Sequence, residues 1–173
     1  MLRPVGMLRS LSAFCSWLEL TAPSRMLQSI DWIVPAVQTL HILGIAAVMG
    51  ATLFLNLRLL GVTGRDVSVA RVSARFLPVV WGALAILLVT GLVMIAAEPA
   101  RALLNPVFGL KMLLLLAALV VTCVTAVIIR RAPEGWPSTP ARRRLVRASA
   151  VVSSGLWVAI LCAGRWIAYA RTH

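Results

Sequence analysis

Few residues in this chain could do chemistry, and four of them, His41, Glu98, Lys111 and Arg165, carry the argument. His41 stands inside the apolar run IVPAVQTLHILGIAAVMGATLFLNLRLLG, residues 33–61. An ionisable group inside so apolar a run is costly, and by default marks a functional site. A neutral imidazole with two cations near its level suits haem b: the imidazole ligates the iron, and Lys111 and Arg165 pair with the propionates. Gly44, one turn on from His41 on the same helical face, would let a flat macrocycle approach the backbone. The alternative is structural: a histidine hydrogen-bonded to a neighbouring helix, with Lys111 and Arg165 snorkelling toward the headgroups.

The elements that carry these residues are membrane helices. The chain of 173 residues is 61% apolar and 13% charged. Soluble domains average about 45–50% apolar and about 25% charged, so this composition belongs to the membrane class. About 20 apolar residues span a bilayer. Four such segments are predicted, at about 33–57, 76–97, 107–129 and 146–170, forming an integral-membrane, all-α, antiparallel four-helix bundle over residues 31–173. Residues 1–30 form a separate N-terminal segment. In it Leu11, Phe14, Trp17 and Leu18 recur at helical spacing, which predicts an amphipathic interfacial helix ending near Pro23. It makes a poor secretory signal, having no uninterrupted apolar core before a small-residue cleavage site. Translation could start at Met1 or Met7. Pro78 and Pro106 are expected near segment starts, where a missing N–H costs least.

The net charge of +12 comes from sixteen Arg and one Lys against five acids. These arginines gather in loops between apolar runs, as topology signals rather than a nucleic-acid footprint. The first loop holds Arg58, Arg65, Arg71 and Arg75; the third holds Arg130, Arg131, Arg142, Arg143, Arg144 and Arg147. The positive-inside rule places both in the cytoplasm, despite Arg3, Arg9 and Arg25 on the N-terminal side. Both termini then face the periplasm of a bacterial inner membrane. The Arg run after the Pro-rich connector meets anionic headgroups.

Orientation turns positions into depths. At 1.5 Å per residue, His41 lies roughly 12 Å below the outer end of the first span, Lys111 roughly 6 Å down the third and Arg165 roughly 8 Å down the fourth. Glu98 caps the second span on the same side. The polar groups of four segments therefore collect in the outer half, while the inner half shows Asn56 and interface arginines.

The other chemistries are thin. His173, the last residue, is the only other histidine, so a bis-histidine site within one chain is not expected. A sixth iron ligand would come from Met94, Met112, Cys162 or His41 of a second chain. Copper is the competing metal at His41, but no Met-rich cluster accompanies it. No catalytic residue set is present. Cys123 and Cys162 read as small buried thiols, and Trp157 as a core residue beneath interfacial Trp32, Trp81 and Trp166. Ser153, Ser154 and the glycines at 44, 50, 82, 91 and 155 read as close helix-packing positions.

Four stretches together resemble an uncharacterised family of small four-helix bacterial inner-membrane proteins. They are P-x-x-x-T-L-H-I-L-G-I-A around His41, N-L-R-L-L-G at residues 56–61, P-x-F-x-L-K at 106–111 and G-R-W-I-A-Y at 164–169. The resemblance covers the chain from about Trp17. It is distantly similar to the membrane domain of copper-resistance D proteins and to small b-type cytochrome subunits, and marks His41, Arg58, Lys111 and Arg165 as pattern positions. Asn56 departs from the Asp expected before Leu-Arg.

The expected function is a small inner-membrane protein with an outward-facing haem b or redox site at His41. It would exchange electrons with a quinone or a periplasmic redox protein. One alternative is a non-catalytic accessory subunit of a larger membrane complex, or a homodimer; another is copper handling or transport.

Overall fold

In lipid, backbone N–H and C=O groups must be satisfied within the segment, so apolar runs of this length fold as helices. A computed structural model of the chain describes residues 5–63, 66–132 and 139–167, and these are helical apart from short connections. Four helices are long and apolar enough to cross a membrane. They are α3 (Ile33–Leu60), α4 (Val69–Ala97), α6 (Pro106–Arg130) and α7 (Pro140–Ile167). Shorter helices α1 (Val5–Glu19), α2 (Ala22–Ser29) and α5 (Pro99–Leu103) lie at one end of the bundle.

Caps set the true boundaries. Helix α4 begins at Val69 rather than near residue 76, because Ser68 accepts the Arg71 N–H at 3.3 Å. Pro78 consequently lies inside α4 and not at its start. Asn105 accepts the Val107 N–H at 2.9 Å, with Pro106 in the first turn of α6. Gly61 ends α3 at φ 77°, and the Gly61 and Val62 N–H groups return to the carbonyls of Arg58 and Leu57. That left-handed turn favours glycine. Helix α7 has 28 residues, roughly 42 Å, more than the roughly 30 Å of hydrocarbon requires. Its first turns, with exposed Arg142, Arg143, Arg144 and Arg147, supply the excess. Residues 168–170 of the expected fourth span lie outside the described residues.

Helix α3 packs along α4, α6 along α7, and α3 against α7 joins the two hairpins; α4 and α6 meet only sparsely. At the arginine-rich end Leu55, Leu59, Val72, Leu77 and Ile129 form one apolar cluster. In the middle Val48, Val80, Ala83, Ala118 and Trp157 form a second. Trp157 is buried as expected, though its Nε1–H has no acceptor among the described residues. Large apolar side chains such as Leu43, Leu88, Leu113 and Val151 stay exposed, which suits surfaces that meet acyl chains. Arg58 turns back on the loop, donating from Nε and Nη2 to the Val67 carbonyl at 2.9 and 2.7 Å.

The N-terminal segment is two helices, not one. Helix α1 ends at Glu19, and Pro23 opens α2 instead of closing α1. Helix α1 packs on α5, and α2 on α4 and α3. Gln28 Nε2 donates to the Ala97 carbonyl at 2.9 Å, tying α2 to the end of α4.

Cys123 and Cys162 depart from their expected burial. Cys15 of α1 is buried, while Cys123 and Cys162 are exposed on the outer faces of α6 and α7, because those faces have no protein neighbour. Burial, followed by the negative charge of Glu19, pushes the Cys15 thiol above its ordinary range. Thiolate is the reactive form. A water-soluble maleimide at pH 7 is therefore expected to leave Cys15 unmodified in the native protein and to label it after unfolding in SDS. Rapid native labelling at Cys15, read by peptide mass, would refute this packing of α1.

Candidate functional site

The site is built from α3, α4, α6 and α7. His41 occupies the inward face of α3 and is half-buried. Its Nδ1 lies 2.7 Å from Thr90 Oγ1 on α4. Thr90 is buried, and its hydroxyl also lies 2.7 Å from the Ile86 carbonyl one turn back. A hydroxyl has one proton, and in a helix it goes to that carbonyl. Thr90 then accepts from the imidazole, so the hydrogen sits on Nδ1 and Nε2 keeps its lone pair. This is the second-partner arrangement that fixes the tautomer of a ligating histidine.

Glycines make the room. A Cβ on Gly91 would sit 3.7 Å from His41 Cε1, so α4 presents bare backbone beside the ring. On α7, a Cβ on Gly164 would lie 3.8 Å from Lys111 Nζ. The Lys111 ammonium thus rests against α7. Lys111 is half-buried and has no hydrogen-bond or ion-pair partner among the described residues. Glu98, which could have neutralised it, instead pairs with Arg101 at 2.8 Å at the start of α5.

His41 on α3 and Lys111 on α6 are each half-buried, beside the bare backbone of Gly91 and of Gly164 respectively. Arg165 follows Gly164 directly in α7, with its side chain exposed. Gly44 serves as the close helix-packing position also expected of it, rather than as an approach for a macrocycle. A Cβ there would lie 3.1 Å from Leu87 Cδ2, so the space beside Gly44 belongs to a leucine of α4 and not to a planar group. Close approach at Gly44 holds α3 against α4 one turn from the His41–Thr90 contact. Gly50, Gly82 and Gly155 have nothing within 4 Å of a Cβ, so they are outward-facing rather than packing positions. Of the candidate sixth ligands, Met112 and Cys162 are exposed and Met94 is half-buried.

Thr90 carries no signal of its own in the sequence, although it lies seven residues from the end of α4 and His41 eight from the start of α3, roughly 11 and 12 Å respectively. The inner half also holds more polar groups than Asn56. Thr52, Thr122, Thr125, Ser149, Ser153 and Ser154 all turn inward there, fully or half-buried.

Comparison with known families adds one finding. Residues 30–170 match a family of unknown function, DUF6644. The chain belongs to that family. The DUF6644 match includes all four long helices and every residue of the site, and begins at residue 30 rather than near Trp17, so α1 and α2 lie outside it. No curated protein and no solved structure matches the chain.

Proposed function

We propose that this is a multi-pass protein of the bacterial inner membrane that holds haem b in the outer half of its bundle. His41 Nε2 would bind the iron, and Lys111 and Arg165 would meet the propionates. The observation that carries the reading is the His41–Thr90–Ile86 relay, which leaves Nε2 as a lone-pair donor. Among the described residues no group of three His, Cys, Asp or Glu could hold a bare ion. A cofactor that brings its own ligands suits a lone histidine better than a bare ion would. Haem would supply one-electron chemistry, exchanged with a quinone or a periplasmic redox protein. The chain's own part is to fix the ring tautomer through Thr90, to offer positive charge through Lys111, and to keep α4 close through Gly91. The likeness to b-type cytochrome subunits and to copper-resistance D membrane domains fits the same placement.

The test is an absorption spectrum of protein expressed with haem available and purified in mild detergent, oxidised and then dithionite-reduced. A Soret band that shifts on reduction supports the reading; a colourless preparation sinks it. The second reading is an accessory subunit of a larger complex. It is favoured by exposed Gly50, Gly82, Gly109 and Gly155, bare helix surface that a partner helix could approach closely. A colourless protein that co-purifies stoichiometrically with another membrane protein would select it.

Lys111→Met gives an independent check. An unpaired ammonium within the bilayer is costly, so the haem-free variant is expected to melt higher than the haem-free parent by scanning fluorimetry. The same variant is expected to retain haem less well. A lower melting point without haem would show that Lys111 is structural.

A further inference from the structure

We infer that the inner half of the bundle contains a binding site for a single structural water, shared by α3, α6 and α7 and separate from whatever His41 holds. A cavity of about 20 Å³ lies there, and its polar lining comes from Thr52, Asn56, Thr122, Thr125 and Ser153. One water needs roughly 10–15 Å³ by this measure and two to four polar partners. Size therefore admits one water and excludes an organic ligand.

The hydrogen-bond pattern specifies the guest further. Thr52 Oγ1 donates to the Val48 carbonyl at 2.6 Å, and Thr122 Oγ1 to the Ala118 carbonyl at 2.8 Å. Thr125 Oγ1 lies 2.8 Å from both the Val121 carbonyl and Ser149 Oγ, and Ser149 donates to the Val146 carbonyl at 2.8 Å. Each threonine has thus spent its one proton and has only acceptor capacity left. Asn56 donates from Nδ2 to Ser154 Oγ at 3.0 Å. Ser153 differs: it is 4% exposed, lines the cavity, and has no hydrogen-bond partner among the described residues. The lining offers one unspent hydroxyl proton, the second Asn56 Nδ2–H and several lone pairs. Water, donating twice and accepting from Ser153, complements that set. A cation does not, because no carboxylate lines the cavity and the chain already carries a net charge of +12.

The experiment uses the full chain in nanodiscs. A density map resolving ordered water is expected to show one peak within hydrogen-bond distance of Ser153 Oγ and a threonine hydroxyl; clear side-chain density with no peak overturns the proposal. Thr122→Val, which keeps shape and removes an acceptor, and Ser153→Ala, which removes the donor, are each expected to lower the thermal midpoint by a few degrees. Unchanged or raised midpoints in both would indicate a dry void and overturn it. The wild-type midpoint is expected to be the same in sodium, potassium and choline chloride. A specific rise with sodium would replace water by a cation and overturn the proposal as well.

Discussion

His41→Ala is expected to yield colourless protein that still inserts and still melts cooperatively, because the imidazole is half-buried and its one hydrogen bond among the described residues goes to Thr90. The paired variant Thr90→Val keeps the ring and removes its acceptor. Losing a partner of this kind costs roughly 10–100-fold in affinity at characterised metal sites. Thr90→Val should therefore retain haem poorly, and the fraction that does bind should show a raised reduction potential, because a less basic imidazole donates less to oxidised iron. Redox titration of the Soret band measures both effects. A purely structural histidine would give a different pattern: both substitutions would lower the melting point, and neither would move a spectrum. Parental pigment in His41→Ala would remove His41 as the ligand.

The fold could be read from the sequence because lipid leaves apolar segments of this length little choice but helix. The errors lie where a local cap outweighed hydropathy. Ser68 starts α4 well before the apolar run begins, and Glu98–Pro99 opens the short α5 where only a loop was expected. The site was partly legible. His41 and Lys111 stand out as costly residues in apolar surroundings, and both are half-buried within the bundle. Thr90 did not stand out, since threonine is tolerated in a membrane helix by bonding its own backbone, and only the α3–α4 pairing shows that it faces His41. The inner hydroxyl layer escaped for the same reason. Thr52, Thr122 and Thr125 each look unremarkable in their own helix, and become a polar site only when three helices turn them to one cavity. Cys123 and Cys162 show the converse error, because apolar neighbours in sequence do not say which face of a membrane helix meets lipid.

Between the two polar levels lies an apolar layer of Val48, Val80, Ala83, Ala118 and Trp157. Its side chains interpose between the His41 site and the hydroxyl-lined cavity, and Trp157 is 5% exposed. Such a layer opposes a continuous polar path from one end to the other, so the arrangement suits a site served from one face of the membrane better than a transport route. It also makes the α3–α4 contact the mechanical support of the site, since that contact runs from the middle layer up to His41.

Gly44→Leu should consequently be the most damaging single substitution near the site. A Cβ at residue 44 would already lie 3.1 and 3.2 Å from the Cδ2 and Cγ of Leu87, and Ile86 stands 3.6 Å away. Alanine needs Leu87 to give by a few tenths of an ångström, and Gly44→Ala is expected to cost little. A leucine cannot fit without α3 and α4 moving apart, and overpacking of this kind costs about 1–3 kcal/mol, sometimes more. The separation falls one turn from His41 on α3 and one turn from Thr90 on α4, so the 2.7 Å contact between them should break together with the packing. The expected result is graded: near-parental melting and pigment for Gly44→Ala, and a clearly lower melting point with loss of haem for Gly44→Leu. Leu87→Ala in the Gly44→Leu background should restore part of both, because it vacates the space the new side chain needs. Rescue of melting without rescue of pigment would separate helix packing from the site and show that the His41–Thr90 contact does not depend on the close approach at Gly44.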